Sequence, residues 1–161
     1  MKIFIYSAIV LFFAAAVYCE NVPIVLIENM AYFGITQSEY NSLGLSRVQK
    51  QRADKIKRNS SGRGMDDKSM FISVRDNFYR ILERRQKDSY DNMLYDHCFD
   101  FYWDLADILR FSDWQRGKLD DMLRFVNIFS NEFERLFVGM LTDYQRDHYN
   151  YIQYGDYYRR H

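Results

Sequence analysis

The chain has few glycines and prolines, the residues that interrupt helices, and few cysteines, the residues that cross-link small disulfide-rich domains. Among its 161 residues there are seven glycines, two cysteines and one proline, Pro23. It also holds 14 tyrosines and 13 phenylalanines, which excludes a disordered chain because such chains are poor in aromatic residues and rich in proline. Two cysteines exclude a disulfide scaffold. We therefore expect a fold that is stabilised by the packing of its apolar core.

Long apolar runs are lacking except at the N-terminus. Lys2 precedes the run IFIYSAIVLFFAAAV at residues 3–17, which is too short to span a bilayer and is closed by Glu20. A basic residue, an apolar run of this length and small residues at its end are typical of a cleavable secretory signal peptide. We predict a signal peptide at residues 1–19 and no membrane span in the mature chain. The protein is then secreted, into the extracellular space or into a bacterial periplasm.

Removal of this leader leaves about 140 residues, the size of a single domain with one core. We divide the remainder into an N-terminal arm at residues 20–34 and a single helical domain at residues 35–161. In the arm, VPIVLI at residues 22–27 is either a strand or a segment tucked against the core. If cleavage falls after Cys19, the only remaining cysteine is Cys98, either a buried thiol or one half of an intermolecular bridge.

Helical periodicity dominates from Thr36 onward, and we predict an all-α fold. The expected arrangement is a small helical bundle or a long antiparallel helical hairpin of four to five helices. Its strongest pattern is a heptad seam, which packs either inside the chain or against a second copy as a homodimer. The seam consists of Leu119, Met122, Val126, Phe129, Phe133, Leu136 and Met140.

Three local signals divide the helical pattern. Gly44 is predicted to end the first helix of the domain, and ERRQKDS at residues 83–89 predicts a bend or a solvated stretch. The segment NSSGRG at residues 59–64 is a predicted loop. It contains an N-glycosylation sequon at Asn59, which is usable if the protein is exported from a eukaryotic cell.

Three predicted helices begin with the same five-residue pattern of an apolar residue, Ser or Thr, two variable residues and Gln. In a capping box the hydroxyl oxygen accepts a hydrogen bond from the third amide of the helix, and the Gln side chain accepts one from the amide of the capping residue. We therefore predict caps at Leu45, Ser46 and Gln49, at Phe111, Ser112 and Gln115, and at Leu141, Thr142 and Gln145.

This repeated start resembles the LTxxQ motif of the Spy/CpxP family of periplasmic helical chaperones and stress modulators. LTDYQ at residues 141–145 matches the motif at its fixed positions, whereas Ser46 replaces Thr in the first copy and the second begins with Phe111-Ser112. The resemblance covers residues 45–152 loosely. It implies a helical hairpin dimer that shields exposed segments of client proteins on a concave apolar and basic face. The acidic, tyrosine-rich C-terminal half departs from the family's pattern.

The formal net charge of zero conceals an asymmetry along the chain. Residues 45–88 hold 13 Lys and Arg against 6 Asp and Glu, whereas residues 89–161 hold 8 against 13. Either the two segments fold against each other, or a basic face is open to an acidic partner or an anionic surface.

No pattern in the sequence indicates an enzyme. His97 and Cys98 are adjacent, and neighbours on a helix diverge, so they do not face each other as a base and a nucleophile. An acidic row between Asp96 and Asp107 lacks an accompanying Glu-x-x-His pair, and we interpret it as a solvated face rather than a metal site. We expect no catalytic residue, no metal, no cofactor and no nucleic-acid partner.

The leading hypothesis is an exported, non-enzymatic helical binding protein, chaperone-like or a protein-interaction factor, whose partner is another protein or itself. Tyrosine and arginine are typical of protein interfaces, so the predicted partner face lies on the last helix. Its residues are Tyr151, Tyr154, Tyr158 and Arg159. The alternative is a self-associating extracellular structural component that uses the seam at residues 119–140 and the C-terminal tyrosines.

Overall fold

The computed structural model describes residues 23–60 and 67–159, with side chains described at residues 23–60 and 68–153. The predicted signal peptide lies outside these residues, as do residues 61–64 of the loop predicted at residues 59–64. The first two residues of that loop are helical instead. Within the described ranges the chain is all-α and has no strand. Its helices are α1 (Ile24–Glu28), a 3₁₀ turn (Met30–Tyr32), α2 (Gln37–Ser42), α3 (Arg47–Ser60), α4 (Asp67–Ile81), α5 (Arg84–Ile108), α6 (Asp113–Phe125), α7 (Asn131–Gly139) and α8 (Asp143–Arg159).

The number of helices is higher than the four to five expected, because short helices form at segments for which the sequence predicted no separate helix. The run after Pro23, for which we considered a strand or a tucked arm, is helix α1. It contacts α4 and α5 and places Leu26 in the core. Burial of this side chain overrides the β-propensity of the valines and isoleucines around it.

The heptad seam is divided between two helices. Helix α6 ends at Phe125, Val126 is extended, and α7 begins only after Ser130. Asn127 Oδ1 accepts a hydrogen bond from the Phe129 amide at 3.0 Å, and Ser130 Oγ accepts one from the Phe133 amide at 3.1 Å. Such local side-chain bonds compete with a continuous helix and end it here. The seam residues therefore do not form one helical stripe.

The core combines aliphatic side chains with aromatic rings, and many of these rings lie in two clusters. In the first cluster the rings of Phe33 and Phe78 stack with their centroids 3.9 Å apart, and Tyr90 packs edge-on against Phe78. In the second cluster Tyr102 contacts both Phe133 and Phe137 at 4.8 Å. All six of these side chains are buried. The long helix α5 carries rings of both clusters and thus connects the two halves of the chain.

In the described part of the chain, no helix combines the length and apolar character needed to cross a membrane.

Candidate functional site

Four helices, not three, begin with a glutamine at their third position. The three predicted starts lie at α3, α6 and α8, and the fourth is at α5, where Glu83 is the capping residue and Gln86 follows three residues later. The preceding apolar residue is buried at each start. These residues are Leu45, Leu82, Phe111 and Leu141.

Each glutamine first closes the cap of its own helix. The amide of the capping residue donates to the glutamine Oε1 at 2.9 to 3.0 Å in all four helices. In α3, α6 and α8 the hydroxyl of Ser46, Ser112 or Thr142 accepts a hydrogen bond from the third amide at 3.3 Å. The starts thus have the local geometry of a capping box.

The four glutamines also form two reciprocal pairs. Gln49 Nε2 lies 2.7 Å from Gln86 Oε1, and Gln115 Nε2 lies 2.8 Å from Gln145 Oε1. The return bonds are longer, at 3.4 Å from Gln86 to Gln49 and 3.3 Å from Gln145 to Gln115. One pair joins α3 to α5, and the other joins α6 to α8.

The second N–H of each glutamine donates to a backbone carbonyl that precedes the partner helix. In the first pair Gln49 donates to Ile81 at 2.8 Å and Gln86 donates to Leu43 at 3.2 Å. In the second pair the acceptors are the Met140 carbonyl, for Gln115, and the Leu109 carbonyl, for Gln145, both at 2.9 Å. Each amide therefore uses both of its donors and accepts at least two bonds, which allows Gln49, Gln115 and Gln145 to be buried.

Each glutamine pair, together with the two helix starts that it joins, defines one half of the structure. The two halves share the same hydrogen-bonding pattern, which we call the frame. In both halves the first glutamine donates to a carbonyl two residues before the partner's capping residue, and the second donates to one three residues before it. Two residues before the first cap of each half, the backbone is left-handed, at Gly44 (φ 62°) and at Arg110 (φ 53°). The Gly44 conformation agrees with its predicted position just past a helix end.

The halves differ in what they expose around the frame. In the second half Ile108, Trp114 and Tyr144 are 61%, 62% and 73% exposed. Each is the chain neighbour of a residue in the hydrogen-bonded group formed by Leu109, Gln115 and Gln145. We call these three exposed side chains the aromatic patch. The corresponding residues of the first half are Ser42, Val48 and Arg85.

The other predicted site residues lie apart from this frame. Of the predicted partner face, Tyr151 is exposed on α8, and the side chains of Tyr154, Tyr158 and Arg159 lie outside the described residues. Asn59 is exposed in the last turn of α3, and the Ser61 of its sequon is outside the described ranges.

The seam residues mostly face the chain's own interior. Leu119, Met122 and Phe133 are buried, whereas Val126, Phe129, Leu136 and Met140 are half-buried against the core. Cys98 is also fully buried, and it forms no disulfide within the described part of the chain.

His97 makes a specific contact with the first helix of the domain. Its Nε2 lies 2.7 Å from Glu39 Oε2, and the same oxygen accepts hydrogen bonds from the amide and the hydroxyl of Thr36 at 2.7 and 2.8 Å. Burial alone raises the pKa of Glu39, but the hydrogen bonds from His97 and Thr36 outweigh it, so that the pKa lies below its ordinary value of 4.5. His97 thus fixes α2 on α5.

The acidic row of α5 lies at the surface. Its four members, Asp96, Asp100, Asp104 and Asp107, are all exposed. Among the residues that the structure describes, no group of three His, Cys, Asp or Glu side chains is placed to hold a metal ion.

Comparisons of the chain with protein-family models, with curated proteins and with solved structures find no match.

Proposed function

We propose that the protein is an exported, non-enzymatic helical binding protein that contacts a partner protein through the aromatic patch. One observation carries this proposal. The two halves have the same paired-glutamine frame, yet only the second exposes Trp114 and Tyr144 at the positions where the first has Val48 and Arg85. Because the first frame forms without exposed aromatic rings, the fold itself does not require them.

The composition of the patch fits protein recognition. Tryptophan and tyrosine are enriched among the interface residues whose removal weakens binding most, and they bury a large area at a small cost in side-chain entropy. The surroundings are polar, with ion pairs from Arg116 to Asp107 at 2.8 Å and from Arg146 to Asp143 at 3.3 Å. An apolar centre with a charged rim is the usual anatomy of such an interface.

A chaperone-like activity is the form of this function that we favour. The resemblance of residues 141–145 to the LTxxQ motif supports it, and so does the lack of any catalytic group in the sequence pattern. In this form the patch covers apolar segments of unfolded clients in the compartment to which the signal peptide directs the chain. A dedicated partner protein is the second form, and it uses the same patch.

The test is suppression of the aggregation of an unrelated unfolded protein, measured by light scattering at near-stoichiometric amounts. We expect the double variant Trp114→Ser, Tyr144→Ser to require roughly tenfold more protein for the same suppression, a difference of about 1.4 kcal/mol in binding. Its circular dichroism should match that of the wild type because both side chains are exposed.

The matched control is Val48→Ser, which changes the exposed residue at the equivalent position of the first half. It should suppress aggregation as well as the wild type does. Equal activity of the double variant and the wild type would remove the patch from the binding surface. If the wild type suppresses nothing, the chaperone form is wrong.

A further inference from the structure

A groove between α3 and α4 lies away from both glutamine pairs. Its volume is about 390 Å³, near the lower end of the roughly 300–1,000 Å³ range of sites that hold small ligands. The floor is apolar and is formed by side chains of both helices, of which Val74 is buried and the others are half-buried. These residues are Ile56, Met70, Val74 and Ile81.

The rim of this α3–α4 groove is cationic. Arg52 and Lys55 extend from α3 and Arg80 extends from α4, and all three are exposed. Among the described side chains, no carboxylate lines the groove. None of the three cations forms an ion pair within the described part of the chain.

The basic segment at residues 45–88 was expected either to fold against the acidic segment or to leave a basic face open. The groove favours the second of these outcomes. Helix α3 packs on α4, and both helices belong to the basic stretch of the sequence, so α3 does not lie on an acidic helix. The nearest carboxylates in sequence, Asp54 and Asp76, stand on these two helices outside the groove lining. The positive potential is therefore focused over an apolar floor, a combination that favours an anion with an apolar body.

We infer that the α3–α4 groove binds a small amphipathic organic anion. The apolar body of the ligand covers Ile56 and Val74, and its anionic group lies between Arg52 and Arg80. The positive charge of the rim favours an anion, and the volume of the groove favours a small ligand. The apolar floor adds binding energy that an inorganic anion does not gain. This site is separate from the aromatic patch and does not depend on the function proposed for it.

The experiment is isothermal titration of the purified protein with three probes below their micelle-forming concentrations. Decanoate carries both the charge and the tail, acetate carries only the charge, and decyltrimethylammonium carries the same tail with the opposite charge. We expect saturable one-to-one binding of decanoate, at least roughly tenfold weaker binding of the other two, and a loss of affinity as salt is added.

Two pairs of variants locate the site. Arg52→Gln with Arg80→Gln removes two rim charges, and Arg47→Gln with Arg58→Gln removes two exposed charges of α3 that do not line the groove. We expect the first pair to weaken decanoate binding roughly tenfold, whereas the control pair changes it by less than about twofold.

Three results would overturn the inference. Absence of saturable decanoate binding would show that the cationic side chains only cover the apolar floor. An equal loss in both variant pairs would show general attraction to a basic surface. Tighter binding of a glutamate-rich peptide than of decanoate would assign the groove to an acidic protein segment instead. The variant Trp114→Ser, Tyr144→Ser should bind decanoate normally, so failure of the proposed function and failure of this site are distinguishable.

Discussion

The side-chain amides of Gln115 and Gln145 donate hydrogen bonds to each other in opposite directions, with Nε2–Oε1 distances of 2.8 and 3.3 Å. Each glutamine also caps its own helix and donates to the backbone that leads into the other helix. The pair therefore joins the starts of α6 and α8 and fixes the positions of Trp114 and Tyr144, which adjoin it in the chain. The binding surface that we propose depends on this polar contact.

Removal of one member of the pair should destabilise the protein strongly. Gln115→Ala leaves the half-buried Met140 carbonyl without this donor and the buried Gln145 amide without its partner. We expect the free energy of unfolding to fall by about 1–3 kcal/mol, the usual cost of leaving a buried polar group unsatisfied. Urea denaturation followed by circular dichroism measures this loss.

The double variant Gln115→Ala, Gln145→Ala completes a thermodynamic cycle. We expect its loss to be smaller than the sum of the two single losses by about 0.5–3 kcal/mol, because the two side chains share one network. Gln51→Ala, at an exposed site of α3, is the control and should change stability little. Additive losses would contradict the pairing.

Arg110 occupies a backbone conformation that suits glycine. Its φ is 53°, and it follows the end of α5 in a turn closed by hydrogen bonds from the Phe111 amide to the Ala106 carbonyl at 2.9 Å and from the Arg110 amide to the Asp107 carbonyl at 3.1 Å. In the first half the equivalent residue is Gly44. We expect Arg110→Gly to raise the free energy of unfolding by about 1 kcal/mol, since a side chain in the left-handed region costs roughly 1–2 kcal/mol.

The reverse change, made at the equivalent position of the first half, provides the control. Gly44→Ala adds a Cβ where φ is 62° and where no atom beyond its chain neighbours lies within 4 Å, so its cost reflects the backbone conformation and not a steric clash. Thermal unfolding should show a lower midpoint for Gly44→Ala and a higher one for Arg110→Gly. A lower midpoint for Arg110→Gly would mean that the arginine side chain contributes more than the strain costs.

The sequence was sufficient to predict the all-α class and the cap residues, because both follow from local spacing. The pairing of the glutamines was not predictable in the same way, since its partners lie 30 and 37 residues apart and meet only in the folded chain. The fourth start was missed because Glu83 stands where the other three have a hydroxyl. Two features of the sequence could have indicated this fourth start. Leu82 lies four residues before Gln86, and the apolar stripe is interrupted at residue 83.

The heptad seam shows the limit of periodicity as a signal. Its spacing is that of one long helix, but the turn between Asn127 and Ser130 supplies its own hydrogen bonds and ends α6. The spacing is kept because α6 and α7 both pack on the same core. Regular apolar spacing therefore indicated burial correctly and helix continuity incorrectly.

Phe133 provides a test of whether the seam serves the core or self-association. It is fully buried and contacts Tyr102, with the ring centroids 4.8 Å apart. We expect Phe133→Ala to lower the free energy of unfolding by about 3–5 kcal/mol, the usual cost of removing a buried phenylalanine. Leu136→Asp, at a half-buried seam position, should leave the mass measured by light scattering unchanged. A mass above that of the monomer that falls in Leu136→Asp would instead support the self-associating component.

The contact between His97 and Glu39 should make stability depend on pH in the acid range. The pKa of Glu39 lies below its ordinary value of 4.5, because the hydrogen bonds from His97 and Thr36 outweigh the effect of burial. A carboxyl group whose pKa is lower in the folded state than in the unfolded state binds protons more weakly in the folded state. Its contribution is therefore present above about pH 4.5 and is lost as the pH falls through the folded-state pKa.

We expect the difference in unfolding free energy between the wild type and Glu39→Gln to be largest near pH 6 and to shrink towards pH 3. Urea denaturation at a series of pH values measures this difference. His97→Ala should reduce the acid dependence because it removes the strongest of the interactions that lower the pKa of Glu39. His148→Ala, which removes an exposed histidine of α8 that does not contact Glu39, should retain that dependence. Parallel pH profiles for the wild type and Glu39→Gln would contradict the assignment, because they would show that Glu39 has the same pKa in both states.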